Sequence, residues 1–292
     1  SPGYDRHFTI CREMGIEMVP VKMNDDGPDM NEVYNIACSD PSVKGMWCVP
    51  KFSNPEGITY SDEVVEQIAM MKPAAPDFRI FWDNAYSIHH LYDDDQDVIP
   101  ELLTECEKVG TEDMVYKFIS TSKVSFPGSG IAAMAASEAN LNDARKWMHY
   151  QTIGHDKLNQ LRHVRFFKDM DGMHEHMRKH AAILRPKFEL VQKTLEEGLG
   201  GLEIGSWTKP KGGYFISFDS LDGCAKRIVS MAKEAGLVLT GAGATYPYGK
   251  DPKDCNIRIA PSFPTLEELG KAAELFVICV KLASAEKLLG EE

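Results

Sequence analysis

An α/β fold is predicted, a mostly parallel sheet sandwiched by helices and followed by a smaller α+β lobe. Three observations lead there. Short β-rich runs alternate with amphipathic stretches through the first half of the chain, the order expected of βα units. One long helical pattern runs from Met170 to about Gly198, and such a helix commonly links two lobes. Beyond it, strands and helices recur among glycine-rich turns.

The β-rich runs are GMWCVP at 45–50, FRIFWDN at 78–84, MVYKFIS at 114–120 and GIAAMAAS at 130–137. SDEVVEQIAMM at 61–71 is helical. Ser61, Asp62 and Glu63 put a hydroxyl and two acids at its start, where they complement the helix dipole. NLNDARKWMHYQ at 140–151 is the next helix. In the long helix Pro186 is expected to kink the axis, and Gly198, Gly200 and Gly201 to stop it. Then come the strands LEIGSW and GGYFISF, a helix over 222–236 ended by Gly236, the strand GLVLT and a glycine-rich loop. The strand NIRIAPS and a helix from about Thr265 to Leu289 close the chain. The expected domains are 1–184 and 185–292.

The 292 residues hold 32 Lys+Arg against 44 Asp+Glu, a net charge of -12, with 43% hydrophobic residues. That is a globular composition, and its acidity argues against nucleic-acid binding, which needs a surplus of cations on one face. Seven cysteines at 11, 38, 48, 106, 224, 255 and 279 are scattered without a C-x-x-C pair. They suit a reducing compartment, so a cytoplasmic location is expected. No apolar run approaches the roughly 18–20 residues of a membrane span. The opening Ser1-Pro2-Gly3-Tyr4 has neither the basic nor the apolar region of a secretory leader. It also lacks an initiator Met, so a longer protein whose beginning lies upstream is expected.

The chemistry-bearing residues gather at strand ends. Ser120-Thr121-Ser122-Lys123 follows the third β-rich run and precedes the turn Pro127-Gly128-Ser129-Gly130. A lysine there points into the crevice where α/β sheets bind ligands, and a deprotonated amine can form an imine with an aldehyde cofactor and later act as a base. Asp83 and Tyr86 stand at the end of the second run, and Asn54-Pro55 shortly after the first. A carboxylate is what a pyridine cofactor needs beside its ring nitrogen, while Tyr and Asn can donate to a phenolate oxygen.

These residues resemble the fold-type I pyridoxal-phosphate aminotransferases, in particular the MocR-like (subgroup Ic) aspartate aminotransferases, over essentially the whole chain. The motifs are Asn54-Pro55, Asp83-Asn84-Ala85-Tyr86, the loop Ser120 to Lys123, and NIRIAPS with Arg258. The resemblance implies that Lys123 is the Schiff-base lysine, that Asp83 pairs with the pyridine nitrogen, and that Tyr86 and Asn54 hold the phenolate oxygen. Arg258 would clamp the substrate α-carboxylate. Pro2-Gly3-Tyr4-Asp5-Arg6-His7 is similar to the family segment in which Tyr4 stacks on the cofactor and His7 orients Asp83. The family's usual arginine after the Pro-Gly of the lysine loop is replaced by Ser129-Gly130. Phosphate binding then leans on Ser120, Ser122, Ser129 and backbone N–H groups. In this frame 1–184 is the cofactor-binding large domain, its first part upstream of residue 1, and 185–292 the small domain.

The resemblance also implies the reaction, transfer of an amino group between aspartate or glutamate and a 2-oxo acid such as 2-oxoglutarate by a ping-pong route, in a homodimer with pyridoxal 5'-phosphate. Two alternatives stay open: another reaction of the same cofactor, a β-lyase or decarboxylase, and a non-catalytic aminotransferase-like domain of a transcription regulator. His176 and His180 have the i, i+4 spacing of a metal pair, but HEHMRKH is not H-E-x-x-H, and no metal is expected. GAG at 241–243 lacks the third glycine of a dinucleotide loop. A dicarboxylate substrate needs a second cation. The stretch DKLNQLRHVRFF at 156–167 offers Arg162, Arg165 and Lys157, and Arg162 is the expected one, presented across the dimer interface.

Overall fold

The structure, a computed structural model, describes residues 1–290. A helix α1 (Asp5–Glu13) leads into a two-residue hairpin, β1 (Met23–Asn24) and β2 (Gly27–Pro28), and then α2 (Met30–Ala37). The βα part follows as β3 (Gly45–Cys48), α3 (Asp62–Ala69), β4 (Arg79–Asp83), α4 (Leu102–Val109), β5 (Val115–Ser120) and β6 (Ala132–Ala136). Three helices come next, α5 (Glu138–Gln151), α6 (Lys157–Phe167) and α7 (Met170–Leu199). The remainder is β7 (Gly205–Trp207), β8 (Ile216–Ser220), α8 (Ala225–Glu234), β9 (Asn256–Ile259) and α9 (Leu266–Leu289).

The main sheet has the order β3-β4-β5-β6. β3, β4 and β5 run parallel and β6 returns antiparallel. Cys48 lies opposite Trp82, and Asp83 opposite Phe118, so the C-terminal ends of the parallel strands reach one edge together. In β4 the alternation turns Ile80 and Trp82 into the core and leaves Arg79, Phe81 and Asp83 partly exposed. Against them α3 buries Val64, Val65, Ile68 and Ala69, and Ser61 caps it by accepting from the Val64 N–H at 3.3 Å. Each fully buried aliphatic side chain contributes about 1.5–3 kcal/mol relative to exposure.

A second core forms around the sheet β7-β8-β9, with Leu184, Phe188, Val191, Leu195 and Leu199 of α7 facing Phe276, Val277 and Val280 of α9. The long helix runs unbroken through Pro186 and ends at Leu199. The expected strand GLVLT is not one. Residues 236–240 are unpaired, with Leu237 and Leu239 leaning on the second core and Val238 81% exposed. Its alternation reflects an extended segment lying over apolar neighbours, whereas β8 has β7 and β9 on its two sides. No helix among the described residues is long and apolar enough to cross a membrane.

Candidate active site

Loops from the C-terminal edge of the main sheet converge with α1 and β9. Asp83 is the last residue of β4, Tyr86 lies three residues beyond it, and Lys123 three beyond the end of β5. Asn54, buried, follows β3 and is joined to Pro55 by a cis peptide. The Lys123 amine lies 4.4 Å from the centre of the Tyr86 ring and 5.9 Å from that of Tyr4. Burial pushes its proton affinity below that of a free lysine, and the nearby Asp83 carboxylate opposes the shift. Tyr86 is buried, and loss of hydration raises its phenol pKa, so the hydroxyl stays protonated as a donor.

His7 sits on the inner face of α1 with Nε2 3.2 Å from Asp83 Oδ2. Its ring stacks on Trp47 of β3 at 3.9 Å between centroids, and Tyr4 meets it edge-on at 5.1 Å. Arg258 of β9 donates from Nη1 to Asn54 Oδ1 at 3.1 Å and from Nη2 to Thr240 Oγ1 at 3.4 Å. Its guanidinium lies 4.9 Å from the Phe215 ring centre and 3.8 Å from Asp5. Arg258 Nε is buried and has no acceptor among the described residues.

The lysine loop is held from below by α6. His163 Nδ1 donates to the Asn159 carbonyl at 2.8 Å, which leaves Nε2 as an acceptor facing the hydroxyls of Ser125 at 2.8 Å and Thr121 at 3.0 Å, one of which donates to it. Asn159 Nδ2 donates to the Ser129 carbonyl at 2.7 Å. Ser122 N–H reaches Ser120 Oγ at 3.5 Å. A Cβ at Gly130 would lie 2.6 Å from Ser122 Oγ, so only glycine lets the returning chain pass that serine.

The fold thus brings together Tyr4, His7, Asn54, Asp83, Tyr86, Lys123 and Arg258, with Ser120, Ser122 and Ser129 on the same loop as the lysine. Arg162 is elsewhere. Asn159 and His163 use the inward face of α6, and Arg162 is turned to solvent with no ion pair among the described residues. Sequence patterning passed over Trp47, Tyr214, Phe215 and Thr240, whose places beside His7, Lys123 and Arg258 follow from chain crossings that no local motif marks. The rings of His176 and His180 lie 4.6 Å apart, tilted 56° to one another, and His176 Nε2 is 2.9 Å from the Val124 carbonyl. No metal-binding group of three His, Cys, Asp or Glu occurs among the described residues.

Known proteins share this fold. The aspartate aminotransferase of Corynebacterium glutamicum is 46% identical over 289 residues, covering 98% of this chain and 66% of that protein. A crystal structure of an aspartate transaminase from the same species superposes with a TM-score of 0.95 at 45% identity, over 98% of this chain and 67% of that one. The α-aminoadipate aminotransferase of Thermus thermophilus, solved with N-(5'-phosphopyridoxyl)-L-leucine, shares the fold at a TM-score of 0.80 and 20% identity, over 98% and 70% of the two chains. This chain therefore spans about two thirds of the length of these relatives. The family described as aspartate amino-transferase matches residues 1–292, and the chain belongs to that family.

Proposed function

We propose that this chain forms the greater part of a pyridoxal-phosphate-dependent aminotransferase that moves an amino group between aspartate and 2-oxoglutarate in two half-reactions. The observation that carries the reading is Lys123, a partly buried amine of lowered proton affinity set between the rings of Tyr4 and Tyr86. The site suits the cofactor in its donor chemistry. An aromatic ring, a carboxylate backed by a histidine, a buried phenol, and hydroxyls on a glycine-relieved loop surround one amine. The orphaned Arg258 Nε is a donor that a substrate carboxylate would satisfy.

When bound, pyridoxal phosphate supplies an aldehyde that joins the substrate amine and a ring that takes up the electron pair released at Cα. Asp83 would keep the proton on the ring nitrogen, and His7 holds that carboxylate in place. Arg258 fixes the oxygen of the Asn54 amide, which leaves Nδ2 free to donate, with Tyr86, to the phenolate oxygen. Ser120, Ser122 and Ser129 would take the phosphate. Arg258 would hold the α-carboxylate in a fork. Lys123 Nζ would take the proton from Cα and later return one.

Residues 1–184 would form the cofactor lobe and 185–292 the small lobe, a division supported by the two separate cores. A homodimer is supported by large apolar side chains left open on α5 and α6, among them Trp147 and Tyr150, which are 67% and 81% exposed. Arg162, exposed on α6, would meet the side-chain carboxylate of a substrate in the partner's site. Unpaired buried thiols such as Cys48 and Cys106 support a reducing, cytoplasmic setting.

In the full-length protein loaded with pyridoxal phosphate, aspartate is expected to shift the visible absorbance and 2-oxoglutarate to restore it. Lys123→Ala is expected to abolish the cycle, because the proton at Cα then has no base to take it, and a Lys123→Ala protein that still turns over would defeat the assignment.

A further inference from the structure

The main chain of Lys123 is held from behind by two side chains. Its carbonyl accepts from Tyr214 Oη at 3.1 Å and from His89 Nε2 at 3.2 Å. The two donors come from distant parts of the chain, His89 from the segment after β4 and Tyr214 from the segment leading into β8. They are tied to one another by the Gly213 N–H, which donates to the His89 carbonyl at 2.9 Å. The close approach needs the paired glycines. A Cβ at Gly212 would stand 2.5 Å from the His89 carbonyl oxygen and 2.3 Å from the Phe52 ring. Around the carbonyl, the rings of Tyr86, His89 and Tyr214 meet edge to face at 5.4 to 6.1 Å.

We propose that His89 and Tyr214 are positioning residues for the amine of Lys123, fixing its main chain by joint donation to one carbonyl. The inference rests on the reading of Lys123 as the reacting amine. Nothing in the binding of substrate or cofactor described above uses either residue. With Cα fixed, the reach of Nζ depends on side-chain torsions alone, and the amine stays in its partly buried place beside Tyr4, Tyr86 and Asp83. His89 must carry its hydrogen on Nε2 to make this bond. Its Nδ1, buried without a partner among the described residues, is then a bare acceptor. A neutral donor suits the carbonyl, because a charged imidazole at this depth would lose its hydration and face the like charges of Lys123 and His180. The neighbouring carbonyl of Val124 is held in the same way by His176 at 2.9 Å, so the turn after the lysine is anchored at two successive positions.

The test uses full-length protein with Tyr214→Phe, which removes one oxygen, His89→Leu, which removes the donor, and His89→Gln, whose amide can donate from the Nε2 position. In cofactor-free protein, acetic anhydride labelling across pH, read by peptide mass, gives the titration midpoint of Lys123. The groups facing the amine are Asp83, Tyr4 and Tyr86. Release of the main chain would hydrate the amine, so Tyr214→Phe and His89→Leu are expected to raise the midpoint by about one unit toward that of a free lysine, and His89→Gln to restore it. In loaded protein kcat should fall about tenfold with KM for aspartate nearly unchanged, as for the loss of one buried hydrogen bond that orients a reacting group. Should His89→Leu fail to fold, Tyr214→Phe alone decides the matter. An unchanged midpoint in folded Tyr214→Phe overturns the proposal. This outcome is separate from failure of the aminotransferase reading, which shows instead as a Lys123→Ala protein that still turns over.

Discussion

His89 lies buried behind the lysine loop. Loss of hydration pulls its pKa from 6.5 down to about 4, with the Lys123 and His180 charges adding to the drop and the hydrogen bond to the Lys123 carbonyl opposing it. In the unfolded chain the same ring titrates near its ordinary value, so between these two pH values the unfolded state binds more protons than the folded one. Stability must then rise with pH through that window and fall as the pH drops through it. The contribution of this one ring is on the order of 3 kcal/mol. Urea unfolding at pH 7 and pH 4.5 should show a smaller acid loss in His89→Gln than in the parent protein, and identical slopes would refute the buried neutral histidine. At this scale the sequence was readable where a residue ends a strand. Asp83, Lys123 and Asn54 stand where parallel strands deliver side chains to one edge. His89 was in plain view within FWDNAYSIHH, yet its acceptor is a carbonyl 34 residues away, and no local pattern points to it. Trp47 and Phe215 were missed for the same reason, since each meets its partner only after the chain has crossed itself.

Among the elements, the helices with chemical punctuation were the legible ones. Thr265 begins α9 with a reciprocal cap: its hydroxyl accepts from the Glu268 N–H at 3.3 Å, and Glu268 Oε2 accepts from the Thr265 N–H at 2.9 Å. Gly290 ends that helix in a left-handed turn at φ 75°. The cap satisfies backbone donors that would otherwise lie open at the helix end. Thr265→Ala should therefore cost about 1 kcal/mol, read as a lower urea midpoint with unchanged slope and unchanged kcat, because α9 packs chiefly on α7 and α8 in the second core. A Thr265→Ala protein as stable as the parent would remove the cap from this account. α1, α2 and α4 are only 9, 8 and 8 residues long, and such short periodic windows are weak signals. GLVLT misled in the opposite sense, since strand-like alternation specifies an extended chain and says nothing about whether a neighbour is there to pair with it.

On the scale of the whole molecule, the inner and outer faces of α6 have different uses. Asn159 and His163 grip the lysine loop, while Leu158, Leu161 and Val164 stand in the open on the other sides of the helix, and Trp147 and Tyr150 of α5 are exposed as well. Large apolar side chains left open are a liability unless a surface covers them, and a second copy of the protein would bring its Arg162 to the join. That guanidinium has no ion-pair partner among the described residues, so in the proposed dimer it would be free to take a carboxylate held across the interface. Subunit complementation separates this from a role within one chain. Arg162→Ala should raise the KM for aspartate roughly 30-fold or more, the effect of removing one partner from a buried charge pair, with far less effect on alanine. Lys123→Ala should be inactive. Unfolded together and refolded, the two inactive or impaired proteins form a mixed dimer in which an intact Lys123 faces an intact Arg162 from the other subunit, and tight aspartate turnover should return in that fraction. Refolded mixtures that sediment as monomers, or that regain no selectivity for aspartate over alanine, would place Arg162 outside substrate recognition and leave the open apolar side chains to some other contact.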